Sequence, residues 1–204
     1  FAVSHREHAS ICAVTDFLPS YAGFLLEKEI THLKTALNPE SSDRPFLFIL
    51  GGAKFETKLS LVEKFMNIAD FVFIGGALAN DFFKEAGYEV GESLVSSQKF
   101  DLSRFSGSPK LLLPSDAVTG AATKSIQNIL PDETIYDAGP ETLKMLSEKI
   151  SQAKYILWNG PLGAYENGYK KPTLVLADKI AESTLRGTKM IIGGGDNLAE
   201  IAEF

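Results

Sequence analysis

Two apolar runs that each end in a glycine pair decide the fold of this chain. From Phe46 to Gly76 the sequence reads FLFILGGAKFETKLSLVEKFMNIADFVFIGG. Short, continuous apolar runs are typical of strands that are buried on both faces of a parallel sheet. Between the runs, apolar residues recur three and four positions apart, as on one face of a helix: Leu59, Val62, Phe65, Met66 and Ala69. The stretch therefore predicts a strand–helix–strand unit.

The same alternation of strands and helices returns further along the chain. Apolar runs predict strands at residues 110–113, 134–137, 155–158 and 189–192. Periodic patterns predict helices at residues 78–86, 140–151 and 172–186, and a further helix that begins near Asn197. Pro140 suits the first turn of its helix, and the polar residues 91–109 predict a connection. This alternation predicts an α/β fold with a doubly wound parallel sheet, a Rossmann-like arrangement of three layers.

The N-terminal part of the chain has a different pattern. Apolar residues recur every three or four positions over residues 22–38, which predicts a long helix that ends before Pro39. We expect this helix to be a connector that packs against the α/β body. Because the chain begins with Phe1 and not with Met, we also expect it to be a fragment or a processed product.

Composition and charge exclude several classes of function. With 20 Lys and Arg against 26 Asp and Glu, the net charge is −6, which argues against a nucleic-acid binder because such proteins carry a basic stripe. No apolar run reaches the roughly 18 residues that a membrane-spanning helix needs. The single cysteine, Cys12, excludes an internal disulfide. A reducing, cytosolic setting is the simplest interpretation.

Glycines at the ends of the predicted strands indicate a binding site. In parallel α/β sheets, ligands bind outside the carboxyl ends of the strands. There this chain carries Gly51-Gly52, Gly75-Gly76, Gly160 and residues 193–195. Glycine lets backbone N–H groups approach an anion closely, but tight turns alone also favour glycine. Both interpretations stay open for any single pair, and the recurrence at one edge favours a ligand.

Two lysines and one aspartate add charge to the same edge. Lys54 and Lys58 lie four residues apart at the start of a predicted helix, where lysines oppose the helix dipole unless an anion binds nearby. Asp196 follows three glycines, either as an N-cap or as a ligand of Mg²⁺, which proteins hold through one or two carboxylates and substrate phosphates. Together these residues indicate a magnesium-bound nucleotide. The P-loop, the G-x-G-x-x-G fingerprint and the G-x-S-x-G nucleophile elbow are missing from the sequence.

Taken together and in order, the motifs of this chain resemble those of phosphoglycerate kinase. They are FILGGAK at residues 48–54 with Lys58, IGG at 74–76, GYEVG at 87–91, DAGPET at 137–142, WNGPLG at 158–163 with Glu166, and IIGGGD at 191–196. The opening HREHAS at residues 5–10 is similar to the stretch that leads into that family's interdomain helix. The resemblance implies a bilobal glycolytic enzyme that transfers a phosphoryl group from 1,3-bisphosphoglycerate to Mg-ADP, which gives 3-phosphoglycerate and ATP.

The same resemblance implies a role for each matched residue. Lys54 is implied to contact the transferred phosphoryl group, Arg6 to bind the phosphoglycerate, and Asp196 to hold the magnesium ion. The implied nucleotide-binding residues are Lys58, Gly52, Gly75, Gly76, Asn159, Pro161, Glu166, Gly193, Gly194, Gly195, Asp196 and Asn197. Glu166 is implied to bind the ribose. The implied protein is a cytoplasmic monomer that uses Mg²⁺ and binds neither nucleic acid nor membranes.

By this resemblance the chain divides into three parts. Residues 1–20 are a stub of the N-terminal lobe, residues 21–43 are the interdomain connector, and residues 44–204 are a nucleotide-binding domain that is incomplete at its C-terminus. We expect such a piece to bind Mg-ADP or Mg-ATP weakly without turnover.

Two other functions stay open at this point. A non-catalytic nucleotide-binding module derived from the family is the first, since some positions depart from the family's pattern: Thr57, Ala77, Ile135 and Asn197. An NAD-binding oxidoreductase domain is the second, and the missing fingerprint disfavours it.

Overall fold

The computed structural model describes residues 6–53, 55–120 and 122–194. Four predicted site residues lie outside this part of the chain: Lys54, Gly195, Asp196 and Asn197. The helix predicted near Asn197 lies outside it too. The chain divides into two units, Phe1–Asn38 and Pro39–Phe204.

The first unit contains a short 3-10 turn and one helix. The turn covers Ala13–Asp16, and helix α1 covers Phe24–Leu37. Gly23 precedes α1 in an extended conformation. The helix predicted at residues 22–38 is therefore confirmed, and its function as a connector stays a prediction.

In the second unit, strands alternate with helices over residues 46–85 and again over residues 140–193. In chain order the elements are β1 (Phe46–Leu50), α2 (Phe55–Ile68), β2 (Phe71–Ile74), α3 (Leu78–Glu85), β3 (Leu111–Leu112), β4 (Asp116–Thr119), β5 (Ala122–Ser125), β6 (Asp137–Ala138), α4 (Pro140–Gln152), β7 (Tyr155–Asn159), α5 (Lys171–Leu185) and β8 (Lys189–Gly193). Pro140 opens α4, as predicted. In the described ranges, no helix combines the length and the apolar character that crossing a membrane requires.

Five strands form one parallel sheet in the order β3-β2-β1-β7-β8. The last residues of neighbouring strands are paired: Leu50 with Ile74, Leu50 with Asn159, and Asn159 with Gly193. The carboxyl ends of these strands therefore lie along one side of the sheet, which we call the carboxyl edge. From the central strand β1, the chain extends the sheet first to one side and later to the other, so the doubly wound fold is confirmed.

Alternate residues of β1 point to opposite faces of the sheet and pack against different helices. On one face, the rings of Phe46 and Phe48 contact Phe65 of α2, with centroids 6.0 and 4.0 Å apart. On the other face, Leu47 and Ile49 belong to a core cluster that includes residues of α4 and α5. Helices thus cover both faces, and every residue of β1 is buried, as its continuous apolar run predicts.

A second, antiparallel sheet interrupts this alternation, and the sequence pattern did not indicate it. Its strands lie in the order β5-β4-β6. The prediction of a parallel strand at residues 134–137 is wrong. The observed strand, β6, covers Asp137–Ala138 and pairs with β4 outside the parallel sheet. The strand predicted at residues 110–113 contains only the two residues of β3. No residue of β5 is buried, so this strand has no apolar run by which to predict it.

Candidate functional site

The turns that follow β1, β2 and β7 are joined to one another by backbone hydrogen bonds. The Gly51 N–H donates to the carbonyl of Asn159 (2.8 Å), and the Gly52 N–H donates to the carbonyl of Pro161 (2.9 Å). The Gly75 N–H donates to the carbonyl of Leu50 (2.8 Å). The three turns thus form one backbone surface at the carboxyl edge.

Contacts between these turns require glycine at several positions. A Cβ atom at Gly51 would lie 2.1 Å from the carbonyl oxygen of Pro161, and one at Gly160 would lie 2.4 Å from the carbonyl oxygen of Gly51. A Cβ atom at Gly76 would lie 2.7 Å from the Gly52 nitrogen. Backbone atoms in a packed turn cannot move aside. Tight packing therefore explains these three glycines, and a ligand site needs support from other residues.

Lys58 supplies this support, because its amine lies on the glycine turn after β1. The side chain comes from the first turn of α2, and its Nζ donates to the carbonyl oxygen of Gly51 (2.6 Å). The amine lies 2.7 Å from the position that a Cβ atom of Gly52 would take, so the missing side chain leaves room for it. The first N–H groups of a helix lack acceptors within the helix, and α2 begins at Phe55, three residues before Lys58. A cationic side chain in the first turn of a helix, at the positive end of the helix dipole, suits a phosphate.

The turn after β7 brings further predicted residues to the same edge. Asn159 ends β7, and its Nδ2 lies 3.1 Å from the position that a Cβ atom of Gly193 would take. Gly194, which follows β8, has φ +98°. Trp158 is fully buried, as expected of a core residue, and its Nε1 donates to the carbonyl of Gly160 (2.8 Å). The buried indole of Trp158 thus fixes the turn after β7.

Glu166 lies on the loop that continues from the β7 turn. It is exposed, within the 3-10 turn Tyr165–Asn167. The Ala164 N–H donates to the carbonyl of Tyr136 (2.7 Å), and the rings of Tyr136 and Tyr169 stack with centroids 4.5 Å apart. These contacts hold the loop on both sides of Glu166 and leave its carboxylate accessible to a ligand.

A loop within residues 91–109, which the sequence predicts to be a connection, lies beside the first turn of α3. Asn80 donates from Nδ2 to the carbonyl of Leu94 (2.9 Å). The next residue, Asp81, accepts hydrogen bonds from the N–H and the hydroxyl of Ser96, both at 3.0 Å. Burial raises the pKa of the Asp81 carboxyl, although the two bonds from Ser96 lower it. Irregular polar segments have no periodic pattern, so the sequence offered no signal for the position of this loop.

Several predicted site residues lie outside the described part of the second unit. Arg6 belongs to the first unit and is exposed. The predicted catalytic lysine, Lys54, and the predicted magnesium ligand, Asp196, lie outside the described residues, as do Gly195 and Asn197. Within residues 6–53, 55–120 and 122–194, no three His, Cys, Asp or Glu side chains are grouped so that they could hold a metal ion. The magnesium site therefore stays a prediction that depends on Asp196.

Comparison with protein families decides the family of the chain. Residues 1–204 match the family model described as phosphoglycerate kinase. The chain belongs to the phosphoglycerate kinase family. This membership confirms the resemblance of the motifs and decides against an NAD-binding oxidoreductase domain.

Curated phosphoglycerate kinases match the chain along its whole length. It is 40% identical over 221 residues to phosphoglycerate kinase of Thermosipho africanus, which covers 100% of this chain and 54% of that protein. It is 40% identical over 217 residues to phosphoglycerate kinase of Granulibacter bethesdensis, which covers 98% of this chain and 54% of that protein. The chain spans about half the length of the curated relatives it matches.

Solved phosphoglycerate kinases have the same fold. The enzyme from Coxiella burnetii matches with a TM-score of 0.80 and 32% identity, over 89% of this chain and 50% of that one. The enzyme from Pyrococcus horikoshii OT3 matches with a TM-score of 0.81 and 28% identity, over 100% of this chain and 54% of that one. These matches agree with the parallel α/β sheet described above.

Proposed function

We propose that this chain provides the nucleotide site of a phosphoglycerate kinase. The proposed reaction is the reversible transfer of a phosphoryl group from 1,3-bisphosphoglycerate to Mg-ADP, which gives 3-phosphoglycerate and ATP. The match of the whole chain to the family carries this proposal. Because the chain spans about half the length of its curated relatives, the complete reaction is proposed for the whole protein.

The carboxyl edge of the sheet suits the polyphosphate of a nucleotide. Lys58 offers a positive charge at the turn after β1, and the first N–H groups of α2 point out of the same end of the helix. Strand β8 pairs with β7 in the sheet, and Gly193 and Gly194 lie at the carboxyl end of β8. Glu166, exposed on its loop, is the proposed acceptor for the ribose hydroxyls.

Phosphoryl transfer needs positioning and charge stabilisation and no covalent nucleophile. In the proposed arrangement, Lys54 contacts the transferred group and Lys58 contacts the nucleotide phosphates. Asp196 and the preceding glycines hold the magnesium ion, which would neutralise charge on the phosphates. Arg6 is the proposed contact to phosphoglycerate.

We expect the 204-residue chain by itself to bind Mg-ADP or Mg-ATP weakly and not to turn over. The whole protein is proposed to be a cytoplasmic monomer.

The change Lys54→Ala in the complete gene product tests the reaction. We expect turnover in a coupled assay with 3-phosphoglycerate and Mg-ATP to fall by roughly 100-fold or more, because a donor to the transferred group acts mainly in the transition state. The dissociation constant of Mg-ADP, measured by calorimetry, should change much less. Lys64→Ala, at an exposed lysine of α2, is the matched control and should keep full activity.

Two results would contradict this assignment. Unchanged turnover in Lys54→Ala would remove the proposed role of that lysine. An unaltered gene product that binds Mg-ADP and shows no turnover would favour the non-catalytic module instead.

A further inference from the structure

The turn after β7 is held at both of its ends by buried side chains. At its start, Trp158 donates from Nε1 to the carbonyl of Gly160 (2.8 Å). At its end, the Leu162 N–H donates to the hydroxyl oxygen of Thr173 (3.0 Å), in the first turn of α5. Leu162 and Thr173 are both 1% exposed. Trp158 belongs to the strand that leads into the turn, whereas Thr173 holds the turn from a different element.

This turn borders the carbonyl group that accepts the Lys58 amine. A Cβ atom at Gly160 would lie 2.4 Å from the carbonyl oxygen of Gly51 and 2.6 Å from its carbonyl carbon, so the two backbones are in direct contact. The Gly52 N–H also donates to the carbonyl of Pro161 (2.9 Å). The carbonyl of Gly51 therefore cannot move independently of the turn after β7.

The position of the Lys58 amine depends on its acceptor. A lysine side chain carries its charge on a flexible stem of four carbons, so the stem by itself does not fix the position of the charge. In this structure Nζ donates to the carbonyl oxygen of Gly51 at 2.6 Å. This hydrogen bond selects the position of the charge. Thr173 fixes the turn, the turn fixes the Gly51 carbonyl, and that carbonyl holds the amine.

We propose, on the basis of the proposed nucleotide site, that Thr173 is a positioning residue, which places the Lys58 amine for the nucleotide phosphates through the turn after β7. Thr173 is buried, so it acts through the turn and not by contact with the nucleotide. Without its hydroxyl, the buried Leu162 N–H loses its acceptor, and the turn must move to bring this group to water. The Gly51 carbonyl and the amine that it holds then move with the turn.

The change Thr173→Val in the complete gene product tests this role, because valine has a similar shape and lacks the hydroxyl. We expect the dissociation constant of Mg-ADP, measured by calorimetry, to rise by about tenfold. Turnover should show a raised KM for the nucleotide with kcat within about twofold, since Lys58 is proposed to bind the phosphates in the substrate and in the transition state alike. Thr173→Ser keeps the hydroxyl and should bring KM back to within about twofold of the wild type.

A purely structural role would give a different result. Partial unfolding lowers the fraction of active protein, so it lowers the apparent kcat and the calorimetric stoichiometry and leaves KM unchanged. That pattern in Thr173→Val would overturn the positioning role.

A double-mutant cycle shows whether Thr173 acts through the Lys58 amine. Once Lys58→Met has removed the amine, a shift of the turn has no charge left to displace. We therefore expect the double variant to bind Mg-ADP within about twofold of Lys58→Met alone. Multiplied effects, a loss of roughly 100-fold in the double variant, would show that the two residues act independently, and would overturn the inference.

Thr188→Val is the matched control for the loss of a buried hydroxyl. Thr188 is also buried and donates to the carbonyl of Ala153 (3.1 Å). It lies just before β8, at the opposite end of the sheet from the carboxyl edge. This variant should lower the free energy of unfolding in a denaturant titration, as Thr173→Val does, and leave the dissociation constant and KM unchanged. An equal loss of affinity in both variants would mean that destabilisation alone weakens binding.

The remaining outcomes separate this inference from the proposed function. If Thr173→Val does not fold, Thr173→Cys, whose sulfur is a weaker acceptor, should raise KM by about threefold with kcat unchanged. If the wild type binds Mg-ADP and neither variant changes its affinity, the positioning role is overturned while the nucleotide site stands. If the wild type does not bind Mg-ADP, the proposed function fails, and this inference fails with it.

Discussion

Lys58 provides the charge that distinguishes the carboxyl edge from an ordinary set of tight turns. We predict that Lys58→Met, which keeps the length of the side chain and removes the amine, raises the dissociation constant of Mg-ADP by about tenfold or more, as expected for the loss of one charged phosphate contact. Calorimetry measures this change. Lys64→Met removes an exposed lysine from the same helix and should have no effect. Equal affinities in both variants would show that the phosphates bind elsewhere.

Gly51 shows how strictly the turns at this edge are packed. A Cβ atom would lie 2.1 Å from the Pro161 carbonyl oxygen. We predict that Gly51→Ala lowers the free energy of unfolding by about 3 kcal/mol, at the upper end of the usual penalty for overpacking, as measured by denaturant titration. Gly23→Ala, where no atom lies within 4 Å, should change it by less than about 1 kcal/mol. Similar values for the two variants would mean that the turns can move apart.

At the scale of elements, the antiparallel sheet caps a helix of the α/β layer. Asp116 of β4 accepts hydrogen bonds from the N–H of Thr142 (2.8 Å) and from its hydroxyl (2.6 Å), and from the N–H of Glu141 (3.0 Å). These are donors in the first turn of α4, which has no side-chain cap from its own N-cap residue, Gly139. A Cβ atom at Gly139 would lie 2.3 Å from the Asp116 carboxylate, so glycine is needed for this cap.

The cap of α4 by Asp116 predicts a large loss of stability when this carboxylate is removed. We expect Asp116→Ala to lower the free energy of unfolding by about 2–3 kcal/mol, because it leaves the buried N–H of Thr142 and the partly buried N–H of Glu141 without their acceptor. Asp116→Asn keeps one acceptor oxygen and should lose less. Asp132→Ala, at an exposed aspartate, should stay within about 0.5 kcal/mol of the wild type. Denaturant titrations that gave all three variants the same stability would disprove the capping role.

At the scale of the whole second unit, an ion pair joins the segment before β1 to the start of β8. Lys189 Nζ donates to Asp43 Oδ1 (2.8 Å), and the Glu40 N–H donates to Asp43 Oδ2 (3.0 Å). The Lys189 bond, followed by the Glu40 N–H, lowers the pKa of Asp43 below its ordinary value of 3.8. The same contact raises the pKa of Lys189, to which Glu40 and Tyr155 contribute weakly. Both partners are therefore charged at neutral pH.

This pair predicts how stability depends on pH. Because the folded state binds the Asp43 proton more weakly than the unfolded state, the contribution is present above about pH 4 and is lost as the pH falls through the folded pKa. Asp43→Asn should therefore be less stable than the wild type at about pH 6, and the difference should shrink towards about pH 3. Asp178→Asn, at an exposed site, should show no such trend. Denaturant titration at both pH values decides between a constant and a shrinking difference.

The local pattern of the sequence determined the alternation of strands and helices, the position of Pro140 in α4 and the glycines at the strand ends. These features follow from neighbouring residues, since the spacing of apolar side chains and the steric freedom of glycine act within a few positions of the chain. The motifs also led to the family, which the whole-chain match confirmed.

Only the tertiary structure decided which segments meet. The strand order, the antiparallel sheet and the contact of Asn80 with Leu94 depend on residues that are distant in sequence. The exposed β5 has no apolar run, and the irregular loop that contains Leu94 and Ser96 has no period, so neither could be placed from the sequence. The glycines at the carboxyl edge show the same division: their positions were evident in the sequence, but contact between the turns is what excludes a side chain there.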